Sequence, residues 1–252
     1  AKAAKTARGG GAAAAAALAA AAEEAEDACM ELQVLHKLQP SAHPGVANMV
    51  AMADARGSTT YALLEYCGGG SLRRLIGGLQ RRGRGVGMAE AEARPLLSQL
   101  CRGLSHLHGL EVAHRDVKPD NLLFTDASRS QIKLCDFGFA CFCGPSGRVR
   151  TLCGTPLYMA PELSRPAAYL GHAVDVWAFG CVLYEALHGH APFRGETMEQ
   201  LQLRIKKVSH EPLQRDLSTE ARTLIEACLT HDVSARATAA GAQAHPWLKE
   251  GR

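Results

Sequence analysis

Four side chains suited to phosphate and magnesium chemistry lie close together near the middle of the sequence. Asp116, Lys118 and Asn121 fall within the stretch 114–123, which reads His-Arg-Asp-Val-Lys-Pro-Asp-Asn-Leu-Leu. Asp136 follows fifteen residues after Asn121, in an Asp-Phe-Gly tripeptide. Magnesium prefers hard oxygen ligands, and a lysine ammonium acts as a point charge on phosphate. The spacing therefore predicts a site for a magnesium-bound phosphate.

This loop and tripeptide together resemble the catalytic loop and metal-binding turn of eukaryotic protein kinases of the serine/threonine type. The resemblance implies that Asp116 orients the incoming hydroxyl and accepts its proton. Asn121 and Asp136 would bind Mg²⁺, and Lys118 would contact the moving phosphoryl group of ATP. In the family, a lysine at this last position marks serine/threonine specificity. An isolated His-Arg-Asp is common in solvated loops, whereas the complete arrangement is specific.

The start of the chain carries the resemblance less clearly. The stretch 3–5 (Ala-Ala-Lys) is similar to the end of the family's Val-Ala-Ile-Lys strand. This would make Lys5 the lysine that holds the α- and β-phosphates, with Lys2 as the competing candidate and a solvated basic segment as the alternative. No glycine-rich loop precedes it, so we expect an incomplete small lobe and a fragment of a longer chain. The low-complexity tract 9–22, rich in glycine and alanine, reads as an insertion.

Two further segments resemble the parts of the family fold that hold the nucleotide. Apolar residues recur at helical spacing over 30–38, and Glu31 fits the glutamate that pairs with the phosphate-binding lysine. The segment 61–72 is similar to the hinge between the two lobes. Backbone groups of Glu65 and Cys67 would bind the adenine edge, and Leu64 would be the gatekeeper. Backbone hydrogen bonds require no particular side chain at these positions.

The segment 136–162 resembles the family's activation loop. Thr151 falls at the usual activating phosphorylation site, and Ser146 is a second candidate. The added dianion would pair with Arg115 and order the loop, which implies an upstream activating kinase. The alternative for Thr151 is an unmodified, exposed threonine. Thr155 belongs to the segment that would position the substrate beside the base.

Five other residues match structural positions of the family. His114 would pack behind Phe137, and Asp175 would anchor the backbone of the catalytic loop from below. Arg236 would form a buried ion pair with Glu162, and breaking such a pair is strongly destabilising. The resemblance implies no acid–base role for His114.

Composition and charge exclude several functional classes. A formal net charge of +3 is too small to predict nucleic-acid or membrane binding. The alanine tract lacks the hydrophobicity to span a bilayer, and no secretory signal opens the sequence. The nine cysteines include Cys141, Cys143 and Cys153, whose spacing does not suit a zinc site. We therefore expect reduced thiols in a cytoplasmic protein that also enters the nucleus, with redox control or zinc binding as alternatives.

These observations predict an α+β, two-lobed protein-kinase-like fold. A partial β-rich lobe would cover 1–66, a hinge 67–70, and a larger, mainly helical lobe 71–252. The predicted activity is transfer of the γ-phosphoryl group of ATP to serine or threonine hydroxyls of protein substrates, with Mg²⁺ as cofactor. A non-catalytic kinase-like scaffold or nucleotide-binding module is the alternative, because the glycine-rich loop is missing. Asp120 and nearby acids would favour basic residues around the target serine.

Overall fold

The computed structural model describes residues 29–54, 60–81, 87–214 and 216–249. Residues 1–28, which include Lys5 and the tract 9–22, lie outside these ranges. Helix α1 covers 29–38 within the described part and leads into the 3₁₀ turn Gln39–Ser41. The helices that follow are α2 (Leu72–Arg81), α3 (Glu90–Gly109), α4 (Gly171–His188), α5 (Met198–Lys206), α6 (Thr219–Cys228) and α7 (Ala239–Gln243).

Within the described ranges, the strands form four small antiparallel pairs. The longest pair joins β1 (Met49–Asp54) to β2 (Thr60–Leu64). The other three pairs consist of β3 (Val112–Ala113) with β6 (Cys141–Phe142), β4 (Leu122–Phe124) with β5 (Ile132–Leu134), and β7 (Arg148–Val149) with β8 (Tyr169–Leu170). The catalytic loop predicted from the sequence lies between β3 and β4, and the Asp-Phe-Gly tripeptide follows β5. Two of these short pairs, β3–β6 and β4–β5, therefore frame the predicted site.

Helix α4 is the most deeply buried helix of the described chain. Its side chains are apolar on nearly every face, and almost all of them are buried. A helix that is apolar all round belongs in the core. It ends at Gly189, whose backbone has a φ of 79° and donates its N–H to Glu185 O at 2.8 Å. This left-handed C-cap suits glycine, because the residue has no Cβ to clash.

The core is one continuous cluster of buried apolar side chains. It extends from Val34 and Leu35 of α1, through the leucines of α3, to Trp247 near the end of the described chain. Trp177 of α4 stacks on Phe193 with ring centroids 5.5 Å apart. The mainly helical core with small sheets confirms the predicted α+β class.

Most predicted elements are present, with boundaries that differ by a few residues. From the sequence alone, the stretch 72–76 predicts a short helix, but α2 continues to Arg81, because Leu75 and Leu79 also pack against the core. The sequence likewise predicts a helix that opens at Asp175 and runs to His188, whereas α4 begins at Gly171. A Cβ at Gly171 would lie 2.7 Å from Cys143 Sγ, so close packing against β6 requires glycine there.

The β1–β2 hairpin presents several large apolar side chains at the surface. Val50, Met52, Tyr61 and Leu63 are each about half exposed or more. Exposed apolar residues that are contiguous in this way are uncommon on monomeric proteins. None of the helices in the described ranges combines the length and apolarity that a bilayer span needs.

Candidate active site

The backbone of the predicted catalytic loop is fixed by a buried carboxylate of α4. Asp175 Oδ2 accepts the His114 N–H at 2.9 Å, and Oδ1 accepts the Arg115 N–H at 2.7 Å. His108 Nε2 lies 2.9 Å from the same carboxylate. Burial by itself raises the pKa of Asp175, but the hydrogen bond and charge of His108 and the contacts of His114 bring it below its ordinary value. The aspartate is therefore held ionised beneath the loop.

Asp116 is the centre of a hydrogen-bonded cluster of predicted site residues. It is only 4% exposed. Its Oδ2 accepts a hydrogen bond from Lys118 Nζ at 2.5 Å, and its Oδ1 accepts one from Thr155 Oγ1 at 2.7 Å. Lys118 Nζ also lies 2.9 Å from Thr155 Oγ1. These three residues, separated by up to 39 positions in the sequence, meet directly.

Asn121 joins this cluster through its amide nitrogen. Its Nδ2 donates to the backbone oxygen of Asp116 at 3.0 Å and to Asp116 Oδ2 at 3.1 Å. The Asn121 backbone oxygen accepts the Cys135 N–H at 2.9 Å, which ties the loop to the residue before Asp136. Because Nδ2 is engaged, the side-chain oxygen Oδ1 remains as the group that is able to ligate a hard cation.

His114 is a buried, neutral link between Asp116 and the Asp-Phe-Gly tripeptide. Its Nδ1 accepts the Asp116 N–H at 3.3 Å, and its Nε2 bonds the Cys135 oxygen at 3.1 Å. These two contacts require a proton on Nε2 and none on Nδ1. Burial lowers the pKa of His114, although the charges of Asp175 and Asp116 act in the opposite direction. The ring also meets Phe137 edge-on, at a centroid distance of 5.2 Å.

The predicted metal ligand Asp136 has a left-handed backbone, with a φ of 65°. Its Oδ1 accepts the Gly138 N–H at 3.3 Å. Glu31 of helix α1 lies close enough to Asp136 for the two carboxylates to interact electrostatically. Burial raises the pKa of Glu31, and Asp136 raises it further, while a backbone hydrogen bond from Phe137 lowers it. Helix α1 therefore brings its glutamate to the Asp-Phe-Gly turn; the predicted lysine partner Lys5 is outside the described residues.

The predicted hinge follows strand β2. The Glu65 side chain turns away from any adenine-binding role, since its Oε1 accepts Lys133 Nζ and the Asn48 N–H, each at 2.7 Å. Leu64 is 39% exposed at the end of the strand. In the described part of the chain, nothing accepts the Cys67 backbone N–H. The Glu65 N–H, by contrast, donates to Asn48 O at 3.0 Å, so of these two N–H groups the Cys67 N–H is the one left without a partner among the described residues.

The glycines of the hinge are required by close backbone contacts. Gly69 donates its N–H to Phe124 O at 2.9 Å, and a Cβ at Gly69 would lie 2.1 Å from Asp126 O. Gly68 donates to Thr125 O at 3.1 Å. The hinge is therefore hydrogen-bonded to the end of β4, which fixes its position relative to the catalytic loop.

Thr151 is exposed on the segment that follows β7, and Arg115 reaches toward it. Arg115 Nη1 donates to Thr151 O at 3.2 Å, and Nε donates to Phe139 O at 2.7 Å. Tyr169 OH donates to the same Thr151 oxygen at 2.6 Å. The second candidate, Ser146, is also exposed, and its Oγ accepts the Arg148 N–H at 3.3 Å. Of the two candidates, Thr151 is the one that Arg115 contacts.

Glu162 and Arg236 form a bidentate ion pair below this segment. Arg236 Nη1 lies 2.7 Å from Oε1, and Nη2 lies 2.9 Å from Oε2. Arg236 also donates to the backbone oxygens of Ala173 and Thr230, both at 2.9 Å. Four of the five guanidinium N–H donors are thereby paired, which suits a buried arginine.

The cysteines in and near the activation segment are free thiols. Cys141 and Cys143 are buried on and beside strand β6, and Cys153 is partly buried. Burial raises the pKa of Cys153. Within the residues described, no group of three or more metal-ligating side chains is arranged to hold a metal ion.

Sequence reasoning missed several residues that take part in the site. Lys133 supports the hinge through Glu65, and Tyr169 supports Thr151. Arg73 of α2 contacts Asp120, Glu185 and Tyr158. These partners are distant in sequence, so no local periodicity indicates them; the only available signal for Arg73 was an arginine pair on a short helix beside an acidic loop.

Comparison with known proteins identifies the family of the chain. Residues 9–248 match the protein kinase domain. The chain is 34% identical over 234 residues to the serine/threonine-protein kinase RAD53 of Saccharomyces cerevisiae, covering 87% of this chain and 27% of that protein. It is 34% identical over 227 residues to the rat serine/threonine-protein kinase ULK3, covering 88% and 45%. It is 36% identical over 229 residues to the serine/threonine-protein kinase ATG1b of Arabidopsis thaliana, covering 89% and 31%.

The chain spans less than half the length of these relatives. The match nevertheless extends over both the segment with Glu31 and the segment with Asp116, Asn121 and Asp136. The kinase-like fold predicted from the sequence is thereby confirmed. The chain belongs to the protein kinase family, of the serine/threonine type.

Proposed function

We propose that this chain transfers the γ-phosphoryl group of ATP to serine and threonine hydroxyls of protein substrates. The observation that carries the proposal is the buried carboxylate of Asp116, which accepts hydrogen bonds from three neighbouring side chains. A carboxylate held in this way is suited to orient an incoming hydroxyl and accept its proton. The serine/threonine kinases to which the chain is similar support the same reaction.

Lys118 and Thr155 act on either side of the acceptor hydroxyl. The Lys118 ammonium is 20% exposed and lies beside Asp116, where it offsets negative charge on the transferring group. Thr155, whose hydroxyl donates to Asp116, aligns the substrate segment with the base. Both contacts hold Asp116 in one orientation, and such positioning accounts for much of the rate in phosphoryl transfer.

Asn121 and Asp136 would hold Mg²⁺. The residues fit the ion, because Asn121 keeps its Oδ1 available while Nδ2 binds Asp116, and Asp136 forms no ion pair with any described residue. Carboxylate and amide oxygens are the hard ligands that Mg²⁺ prefers. When bound, the ion supplies positive charge to the phosphate oxygens.

ATP would lie between the hinge and these ligands. We assign the adenine contacts to backbone groups of Glu65 and Cys67, with Leu64 at the back of the site. Glu31 would orient the phosphate-binding lysine, for which Lys5 is the candidate. We retain the division into a small lobe over 1–66, a hinge at 67–70 and a large lobe over 71–252 as part of this proposal.

Phosphorylation of Thr151 by an upstream kinase would activate the chain. The contact from Arg115 to the Thr151 backbone brings a guanidinium near that hydroxyl, and a phosphate there would form charge-assisted hydrogen bonds with it. Since all nine cysteines are free, we place the protein in a reducing compartment, the cytoplasm or nucleus.

The test is transfer of labelled phosphate from ATP to dephosphorylated casein by the wild type and by Asp116→Asn. We expect the substitution to lower kcat by about 100-fold or more, because general-base positioning contributes on this scale. Nucleotide binding, measured by fluorescent-ATP anisotropy, should persist in both proteins.

Two outcomes would count against the proposal. If wild type and variant are equally inactive after treatment with an activating kinase while both bind nucleotide, the chain is a kinase-like scaffold. If both transfer phosphate equally, Asp116 is not the base. Asp126→Asn, a change to an exposed aspartate whose nearest partner is Ser128, serves as the matched control.

A further inference from the structure

An arginine of helix α2 bridges two carboxylates beside the candidate active site. Arg73 Nε lies 3.1 Å from Asp120 Oδ2, Nη1 contacts Glu185 Oε1, and Nη2 contacts the Tyr158 hydroxyl. The Arg73 side chain is 36% exposed, so its guanidinium lies at the surface of the cleft with one edge directed inward. A single cation therefore joins three separate parts of the chain.

Two of the partners adjoin the cluster around the base along the chain, and the third contacts one of these two. Asp120 is in the same loop as Asp116, next to Asn121. Tyr158 follows Thr155 by three residues, in the segment that contacts Asp116. Glu185 lies on α4 and is buried. The two carboxylates thus lie where a peptide that presents its hydroxyl to Asp116 would pass.

A pair of carboxylates beside the acceptor position is suited to bind a cationic group of the substrate. It would bind the guanidinium of a substrate arginine through charge-assisted hydrogen bonds, as the sequence alone suggests for Asp120. Here Arg73 already makes those bonds. Glu185 has no oxygen left, because Oε2 accepts the Tyr158 hydroxyl at 2.6 Å.

The carboxylate oxygens that remain for a substrate cation would bind it only weakly. Asp120 keeps one carboxylate oxygen, but its side chain is 49% exposed, and exposed ion pairs contribute little after solvent screening. Arg73 itself adds positive charge at the same edge. These internal ion pairs argue against the expectation that Asp120 and nearby acids favour basic substrates.

We propose that Arg73 is a specificity-determining residue that occupies, from within the chain, the acidic site beside the acceptor position. It prevents selection of substrates that carry arginine near the phosphorylated residue and leaves the chain to act on hydroxyls with uncharged flanks. The inference rests on the proposed kinase function and specifies its substrate class.

The test is an arginine scan of a peptide substrate. A parent peptide with one central serine and uncharged flanks is compared with variants that carry a single arginine at each of five positions on either side. For the wild type, kcat/KM should stay within about twofold of the parent at every position. For Arg73→Gln and Arg73→Ala, at least one position should gain about tenfold or more, because the freed carboxylates then bind the peptide arginine.

Matched variants separate this effect from general damage. Arg74→Gln, which changes the adjacent exposed arginine, should keep the wild-type profile. Asp120→Asn added to Arg73→Gln should lower the gained preference, because one of the two carboxylates is then neutral. Arg73→Lys, whose compact ammonium reaches fewer acceptors, should fall between wild type and Arg73→Gln and serves if the neutral variants do not fold.

A binding measurement makes the inference independent of turnover. Anisotropy of the labelled arginine peptide and of its parent is recorded with wild type and Arg73→Gln. Two results would overturn this inference and leave the proposed catalysis intact. In the first, the folded variant phosphorylates the parent peptide and has the same arginine profile as the wild type. In the second, the wild type already prefers the arginine peptides. Tighter binding of the arginine peptide by the variant without any transfer by either protein would support it and would refute the proposed catalysis instead.

Discussion

At the scale of single residues, two non-glycine positions of the site have left-handed backbones. Arg115 and Asp136 both have a φ of 65°. Such a conformation is uncommon for residues with a Cβ and persists only where surrounding contacts enforce it. For Arg115 the enforcing contacts are the hydrogen bond from its N–H to Asp175 and the one from its Nε to Phe139 O. Nothing in the residue types predicts this conformation.

The first prediction concerns the buried carboxylate that holds this backbone. In Asp175→Asn, the amide presents a donor to one of the two N–H groups that Asp175 accepts. We expect the free energy of unfolding to fall by roughly 1 to 3 kcal/mol, the cost of an unsatisfied buried donor. Phosphate transfer should fall by about 100-fold, because Asp116 is displaced. Urea unfolding and initial rates measure the two effects, and wild-type activity in the variant would contradict the anchoring role.

A second residue-scale prediction follows from His188. Its ring is 3% exposed, Nδ1 bonds Tyr184 O at 2.8 Å, and Nε2 accepts the Gln214 N–H at 3.1 Å. These contacts need the neutral ring, and burial lowers the pKa of His188 from 6.5 to about 4. The unfolded state therefore binds more protons between these values, so stability is complete above pH 6.5 and is lost as pH falls toward 4.

The measurement is urea unfolding at several pH values between 7 and 4.5. His188 should contribute a slope of about 1 kcal/mol per pH unit to the wild type across this window. His188→Gln should have a shallower dependence. Some dependence will remain, because burial also lowers the pKa of His172 to about 4. Identical slopes in wild type and variant would rule out His188 as a source.

At the scale of elements, the ion pair between Glu162 and Arg236 joins the 3₁₀ turn Pro161–Ser164 to the segment after α6. The Arg236 side chain has no exposed surface, whereas Glu162 is 17% exposed. The guanidinium also lies over the Trp177 ring, 5.1 Å from its centroid. One residue therefore joins the end of the activation segment to the core helix.

We predict that Arg236→Met lowers the free energy of unfolding by roughly 3 kcal/mol or more, because it leaves a largely buried carboxylate without its partner. The control is Arg204→Met, which breaks the exposed pair of Arg204 with Glu211 and should change stability by less than about 1 kcal/mol. Chemical denaturation curves provide both numbers. Equal losses in the two variants would mean that burial does not distinguish these pairs.

Elements with strong periodicity were predictable, and those that depend on distant pairing were not. The spacing of the leucines of α3 predicts a helix over 88–108 from the sequence alone, and the observed helix Glu90–Gly109 differs from that range by at most two residues. Strands β3 and β6 have two residues each and exist because Val112 pairs with Phe142. Pairing across this distance leaves no local signal.

At the scale of the whole molecule, the candidate site lies where several distant segments meet the core. The sequence identified Asp116 and Asn121 through one compact motif, whereas the pairing of Glu65 with Lys133 spans 68 positions. The same holds for Arg73 and Glu185, which are 112 positions apart. Motifs whose members are neighbours in the chain were predictable; contacts that arise only from the folded topology were not.

A whole-molecule prediction concerns nucleotide and metal. ATP with Mg²⁺ should raise the Tm of the wild type, since a ligand at 100 times its Kd stabilises the folded state by about 2.7 kcal/mol. Removal of Mg²⁺ with EDTA should abolish most of the rise. In Asp136→Asn the rise should be small with or without Mg²⁺, because the variant replaces the one charged metal ligand and leaves two neutral amides. Differential scanning fluorimetry provides the measurement, and a Mg²⁺-dependent shift in the variant equal to that of the wild type would contradict the assignment of Asp136.

The position of Asp175 on the central helix links phosphate transfer to the cooperative unfolding of the chain. The helix that supplies this carboxylate is surrounded by the apolar interior, so we expect the loop that it supports to unfold together with the core. Heat or denaturant should then abolish turnover and secondary structure at the same midpoint, without a stage at which a folded chain has already lost its chemistry.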